Sequence, residues 1–524
     1  MFKAIYSQCS MPFWIDVAEN LAKEIKIEPC YWTGIDYMKH PVEKKFPNVI
    51  FHDSIRAVRG IPAPECENLK LPAIGQTLFK ELAFCESIAL QMMSRIDPAN
   101  IFTYEDRLRQ YQYYVRYWNG ILEHFNPDIL ISPREPHIIY DYVLYEVCKK
   151  RGIQTLLFQE TPISLLVYPV GQFESGSEIL ISTYENLKKS KKDVVLSDES
   201  EKHLKRLSGN YSDALSAYSF GQPFKLKGKS RRRIPVFDAF VIKTDKIVSN
   251  PHNFVSEIQK TIKGFSRGLK IYDKQKGIDL KDTRWSYPEF LKMKRRGKIK
   301  VKELKKHYDS LTKQPDTNKP YVYVALHFQP ESSTCPLGGV FVNQYLMVDL
   351  LSKSVPENWQ IYVKEHWGQW KTEARGERGR DPKFYDDLIS LENVTLIPTS
   401  IPSFDLVDKA KCLATVTGTS GWEAVVRGIP ALIFGYSWYQ GCEGTFYTPD
   451  EKTCKEAIFK IEAGYKVDKK AVRLFLKAME KVSAKAYLHP VYEEKADFSP
   501  EENIISVTNS IKNYIQKQGV LKNV

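Results

Sequence analysis

Two rhythms of apolar and polar positions alternate along the first third of the chain. Short apolar runs of strand length occur at FKAIYS, PCYWTG, NVIFHDS, PDILISPRE and IQTLLFQE. Between them, PFWIDVAENLAKEI, ELAFCESIALQMMSRI, YEDRLRQYQYYVRYWNGILEHF and IIYDYVLYEVCKKRG carry apolar residues at helical spacing. Gly152 closes the last of these helices. This βαβ order predicts an α/β domain with a mostly parallel sheet over residues 1–180.

From 181 to 318 the pattern turns polar and helical, ending in the linker KQPDTNKP. A clearer rhythm fills 319–455, with strands at YVYVAL, WQIYVKE, VTLIPT, LATVTG and PALIFG, and helices at VNQYLMVDLLSKS, DPKFYDDLIS, SFDLVDKA and GWEAVVRG. Strands alternating with helices in this way predict a Rossmann-like sheet whose ligands bind beyond the carboxyl ends of the strands. The fold class expected is α/β, with two Rossmann-like domains facing across a cleft, the GT-B architecture, and a basic helical segment between them. Residues 456–524 are expected as helices packing across both domains.

Composition leaves this picture intact. At 43% hydrophobic and 27% charged residues the chain reads as folded and soluble. No stretch reaches the roughly 18 apolar residues of a spanning helix and MFKAIYSQCSMPFW lacks a signal-type apolar run, so the expected location is the cytoplasm. Nine cysteines without a C-x-x-C pair argue against a disulfide framework or a zinc site. Lys and Arg outnumber Asp and Glu by 76 to 63, a surplus of 13 that suits phosphate, nucleic acid or an anionic membrane. It concentrates in KLKGKSRRR and LKMKRRGKIKVKELKK, read either as solvated helix faces or as contacts to anionic lipid or a polyanion. No nucleic-acid-binding signature accompanies it.

Four loops of the second domain follow strand ends. In HFQPESSTCPLGGV, His327, Gln329, Glu331, Ser332, Ser333 and Thr334 precede Gly338 and Gly339, which would let backbone approach a ligand. In KEHWGQW, Lys364 and His366 could neutralise a departing phosphate. In TGTSGWEAVVRG, Thr417, Thr419, Ser420 and the N–H groups of Gly421 and Trp422 form an anion site at a helix N-terminus, with Glu423 placed for ribose hydroxyls or for a capping box with Ser420. In GYSWYQGCEGTF, Tyr436, Trp438 and Tyr439 are stacking surfaces or an aromatic patch packed on the C-terminal helices.

HFQPESST, YVKEHW and VTGTSGWEAVVRGIPALIFG together resemble the nucleotide-binding half of bacterial capsule and surface-polysaccharide glycosyltransferases, the group that includes the Kdo transferases of capsule synthesis. The resemblance runs from about Tyr321 to Phe446. It implies an inverting enzyme that moves a sugar from a nucleotide donor to a growing capsule or lipopolysaccharide glycan, with neither cofactor nor metal. Its partners would be the nucleotide-sugar and a glycan or glycolipid acceptor; separately, the surplus basic charge suggests docking to the inner membrane face or to an acidic glycan, and nucleic acid is not expected. Related Kdo- and sialyl-transferases carry a His-Pro pair and a Ser/Thr motif for the CMP phosphate. Thr419 and Ser420 match the second, while His366 is followed by Trp367, so a UDP- or GDP-sugar stays open beside CMP-Kdo.

An inverting transfer needs a group that takes the acceptor proton. In PREPH, Arg134, Glu135 and His137 stand at the end of the first-domain strand PDILIS, with Asp141 one helical turn on. Glu135 is the expected base, with His137 and Asp141 beside it and Arg134 positioning the acceptor. Glu135 could equally serve the macrodipole of its helix. The loop SQCSMPFWID also reaches the cleft, with Ser10 and Asp16 as polar candidates, Asp16 equally a helix cap; His52 and Asp53, after NVIF, are further candidates. A nucleotide-sugar epimerase or hydrolase, and a basic protein that only binds polyanions, are the competing readings.

Overall fold

The computed structural model describes residues 2–97, 102–163, 165–190, 193–209, 287–331, 333–371 and 376–517. KLKGKSRRR and Ser332 therefore lie outside the described residues.

The first sheet runs β1 (Phe2–Tyr6), β2 (Ile27–Gly34), β3 (Ile50–Asp53), β4 (Ile129–Ser132), β5 (Gln154–Glu160) and β6 (Leu166–Val170). The second contains β7 (Tyr321–Ala325), β8 (Gln360–Lys364), β9 (Val394–Leu396), β10 (Cys412–Thr415), β11 (Ala431–Ile433) and β12 (Thr445–Tyr447), and β13 (Ala484–Lys485) returns to the first. The orders are β13-β6-β5-β4-β1-β2-β3 and β12-β11-β10-β7-β8-β9. β1–β5 are parallel, as is the whole second sheet, so both domains are Rossmann-like and doubly wound. The order in which strands are added reverses between β1 and β4 and between β7 and β10, which opens a crevice at the carboxyl edge at each point.

Alternation along the strands explains the layers. Ile5, Tyr31 and Leu130 face the helices Ala83–Ile96, Tyr104–Phe125 and Ile139–Lys150, while Tyr6, Trp32 and Ile131 face Phe13–Ile25 and Pro500–Lys517. In the second sheet Val322 and Val363 lie on one face and Tyr321 and Tyr323 on the other. The antiparallel β6 and β13 interrupt the otherwise parallel first sheet.

The C-terminal segment visits both domains. Helix Glu451–Glu462 packs in the second-domain core, and helix Lys469–Val482 shares a core with Glu178–Ser190 and Trp422. β13 and helix Pro500–Lys517 complete the first domain. Among the described residues no helix is long and apolar enough to cross a membrane.

Candidate functional site

At the β7/β10 crevice, His327 spans the two strand ends. The Thr417 backbone N–H donates to Nε2 of His327 at 3.1 Å, so a neutral ring carries its proton on Nδ1, 2.9 Å from Oε1 of Glu331. Thr415 Oγ1 donates to the Ala325 carbonyl and lies 3.1 Å from the same Nε2. Burial raises the Glu331 carboxyl, but hydrogen bonds from His327 and Ser333 outweigh it and hold the group below its ordinary range. Gln344 fixes the His327 backbone from both sides, accepting its N–H at 2.8 Å and donating to its carbonyl at 3.1 Å.

Helix Thr419–Arg427 begins directly after this clamp. Its N-cap is Gly418, and no side chain caps it. The expected Ser420–Glu423 capping box is absent because the helix starts at Thr419, which puts Glu423 beyond the first turn. Thr419 is exposed and Ser420 half-buried, and the uncapped helix leaves its first N–H groups without helical acceptors. Gly421 has another reason to be glycine: a Cβ there would lie 2.2 Å from the Tyr439 hydroxyl, which donates to the Gly418 carbonyl at 2.6 Å.

His366 accepts the Gly368 N–H on Nδ1 at 3.0 Å, leaving Nε2 as its proton-bearing nitrogen, and burial pushes the ring down to about 4. Beneath it lies a network that sequence reasoning missed. Glu365, fully buried, pairs with Arg380 Nε at 2.9 Å and accepts the Tyr385 hydroxyl and the His366 N–H. Arg380 also donates to the His327 carbonyl at 2.9 Å, so one buried ion pair orients both histidine loops.

Several predicted ligand residues turn out to be engaged within the protein. The Lys364 ammonium donates to the Ile401 carbonyl and Ser403 hydroxyl, both at 2.7 Å, and burial lowers it to about 7. Gln329 donates to Thr334 Oγ1 at 2.6 Å and holds the loop together from inside. A Cβ on Gly338 would meet the Thr334 carbonyl at 2.6 Å, and Gly339 takes a φ of +52°, so chain crowding and backbone conformation account for the glycine pair. Burial raises Glu423 to about 7 in the field of Arg206, Arg427 and Lys364. Tyr439 is buried and Trp438 packs on Trp422 at 4.9 Å, which is the packing reading of that loop; Tyr436 packs against Phe173 of the first domain.

At the β1/β4 crevice, Arg134 Nε, Glu135 Oε1 and His137 Nδ1 are buried and lack hydrogen-bond partners among the described residues. Burial pushes Glu135 up to about 7 against the Arg134 charge, and pushes His137 down to about 3. Asp141, also raised by burial to about 7, accepts the N–H groups of His137 and Ile138 and the side chain of Gln8. Its oxygens hold the loop together, whereas Oε1 of Glu135 is buried without a hydrogen bond.

Of the remaining first-domain candidates, His52 and Asp53 are engaged within the protein. His52 is buried between the Tyr31 hydroxyl and the Ile61 carbonyl, both at 2.8 Å, and Asp53 caps the helix Ser54–Val58. Asp16 is exposed in the first turn of Phe13–Ile25, which has no side-chain cap, and Ser10 gives its backbone carbonyl to Tyr37. Among the described residues no three His, Cys, Asp or Glu side chains converge as a metal site requires.

No family model matches the chain, and neither does any curated protein. Among solved structures it is similar to the beta Kdo 2,7 transferase KpsC of Thermosulfurimonas dismutans, at 18% identity over 43% of this chain and 67% of that one, with a TM-score of 0.21. A beta Kdo 2,4 transferase KpsC of the same organism matches at 17% identity over 37% of this chain and 56% of that one, with a TM-score of 0.22. A UDP-GlcNAc 2-epimerase from Neisseria meningitidis, bound to UDP-GlcNAc, matches at 12% identity over 100% of both chains, with a TM-score of 0.20.

Proposed function

We propose that the protein is an inverting, nucleotide-sugar-dependent glycosyltransferase of capsule or lipopolysaccharide assembly. The observation that carries this reading is the uncapped N-terminus of helix Thr419–Arg427 at the β7/β10 crevice. The N–H groups of Thr419 and Ser420 and the helix dipole meet the donor phosphate there, and the Nε2–H of His366 adds a neutral donor. Glu135 takes the proton of the acceptor hydroxyl as that oxygen attacks the anomeric carbon. The bond to the nucleotide phosphate breaks toward the helix N-terminus, where its charge is stabilised without a metal.

The donor is a CMP-, UDP- or GDP-linked sugar, with CMP-Kdo favoured by Thr419 and Ser420. The acceptor is a growing glycan or glycolipid at the inner membrane face. Purified protein given such a donor and acceptor should release nucleotide, and Glu135→Gln should slow release by about a hundredfold or more with the fold intact. A nucleotide-sugar epimerase or hydrolase would alter or cleave the donor with no acceptor present.

A further inference from the structure

Arg95 lies near the end of the helix Ala83–Ile96 in the first domain, yet its guanidinium reaches both crevices. One terminal nitrogen donates to the carbonyls of Glu331 and Cys335, each at 3.0 Å, and the other donates to the carbonyl of His137 at 2.6 Å. The first two acceptors belong to the loop that carries Glu331 after β7, and the third to the loop that carries Glu135 after β4. These are charge-assisted bonds to three backbone groups, so removing the guanidinium strands all three together.

The surroundings make this a docked joint. Cys335 is 3% exposed and packs within the first-domain core, its thiol 3.9 Å from the Ile88 carbonyl of the same helix. Leu337 and Val342 pack against that core, and Phe84 lies 3.4 Å from the position a Cβ on Gly339 would take. The second domain's ligand loop is thus seated on the first domain, with Arg95 joining it to His137.

We propose that Arg95 is a positioning residue that latches the His327–Gly338 loop to the Pro133–Ile138 loop, so that the two half-sites are held in one register. This rests on reading those loops as halves of one site. Its test uses no turnover, so failure of the enzymatic reading and failure of the latch give different results.

Hydrogen–deuterium exchange on the full chain compares wild type, Arg95→Met, which keeps the apolar stem, and Arg95→Lys, which keeps the charge. Arg95→Met should raise exchange about tenfold or more in 133–141 and in 331–337 together, with helices Gln344–Ser352 and Pro500–Lys517 unchanged and Arg95→Lys intermediate in both loops. If Arg95→Met unfolds the chain, Arg95→Lys alone decides by whether both loops loosen. A change in only one loop, or in neither, overturns the proposal.

Discussion

The Thr417 backbone N–H donates to Nε2 of His327 across 3.1 Å, tying the loop after β10 to the loop after β7 at the point where the strand order of the second sheet reverses. That bond needs an unprotonated Nε2, and the proton on Nδ1 then faces Glu331. His327→Ala breaks both connections. We expect it to weaken nucleotide binding at least tenfold and to cost about 1–3 kcal/mol of stability, since the half-buried Glu331 carboxylate loses its His327 donor. Isothermal titration and urea unfolding measure the two losses.

Glu365 and Arg380 form the buried pair beneath the two histidine loops, with side chains 0% and 3% exposed. Removing one partner leaves the other charged in a dry interior. Arg380→Met should destabilise the protein by about 3–5 kcal/mol, and the double variant Glu365→Met/Arg380→Met by less than that. Chemical denaturation of the three proteins checks the order, and a double variant at least as unstable as the single one would refute it.

Glu135 gives a pH dependence of defined sign. Its carboxyl titrates at about 7 in the fold against an ordinary 4.5. A raised folded-state value means that the stability linked to its proton is fully present below the ordinary value and is lost as pH rises through about 7. Wild type should therefore lose stability relative to Glu135→Gln between roughly pH 5 and 8. If Glu135 is the base, turnover climbs through the same range. Thermal unfolding against pH tests the first expectation, and parallel stability curves for the two proteins would contradict it.

The helix Tyr287–Leu311 buries Val301, Leu304 and Tyr308 and exposes Arg295, Arg296, Lys298, Lys300, Lys302 and Lys306. Such a face should bind anionic vesicles at low salt and release them as salt rises. Co-sedimentation should fall for the triple variant Lys298→Glu/Lys300→Glu/Lys302→Glu. No binding by wild type at low salt would make the charge a solubility feature only.

The two sheets were legible because VYVAL, ILIS and LATV are dense apolar runs that parallel strands, buried on both faces, require. β6 was not, since Pro169 argues against a strand and LVYPV survives only in an antiparallel pairing toward the edge of the sheet. Strand-end position brought His327 and His366 to the crevice loops but could not separate them from side chains engaged inside the protein. Lys364 lies over the Tyr323 ring, on the face of the sheet where its ammonium meets protein acceptors. Glu365 continues the buried face of Ile361 and Val363, a consequence of the two-residue strand period that the sequence carries. Arg95 left no local signal, because its three acceptors are backbone carbonyls up to 240 residues away.

The central claim, that a nucleotide phosphate sits at the start of helix Thr419–Arg427, is tested most directly by titrating CMP, UDP and GDP into wild type and into Gly421→Ala. The added methyl would lie 2.2 Å from the Tyr439 hydroxyl, whose bond to the Gly418 carbonyl holds the start of the helix. The account predicts saturable binding of at least one nucleotide to wild type and binding at least tenfold weaker to Gly421→Ala, about 1.4 kcal/mol. Binding of none of the three, or equal binding by both proteins, contradicts it.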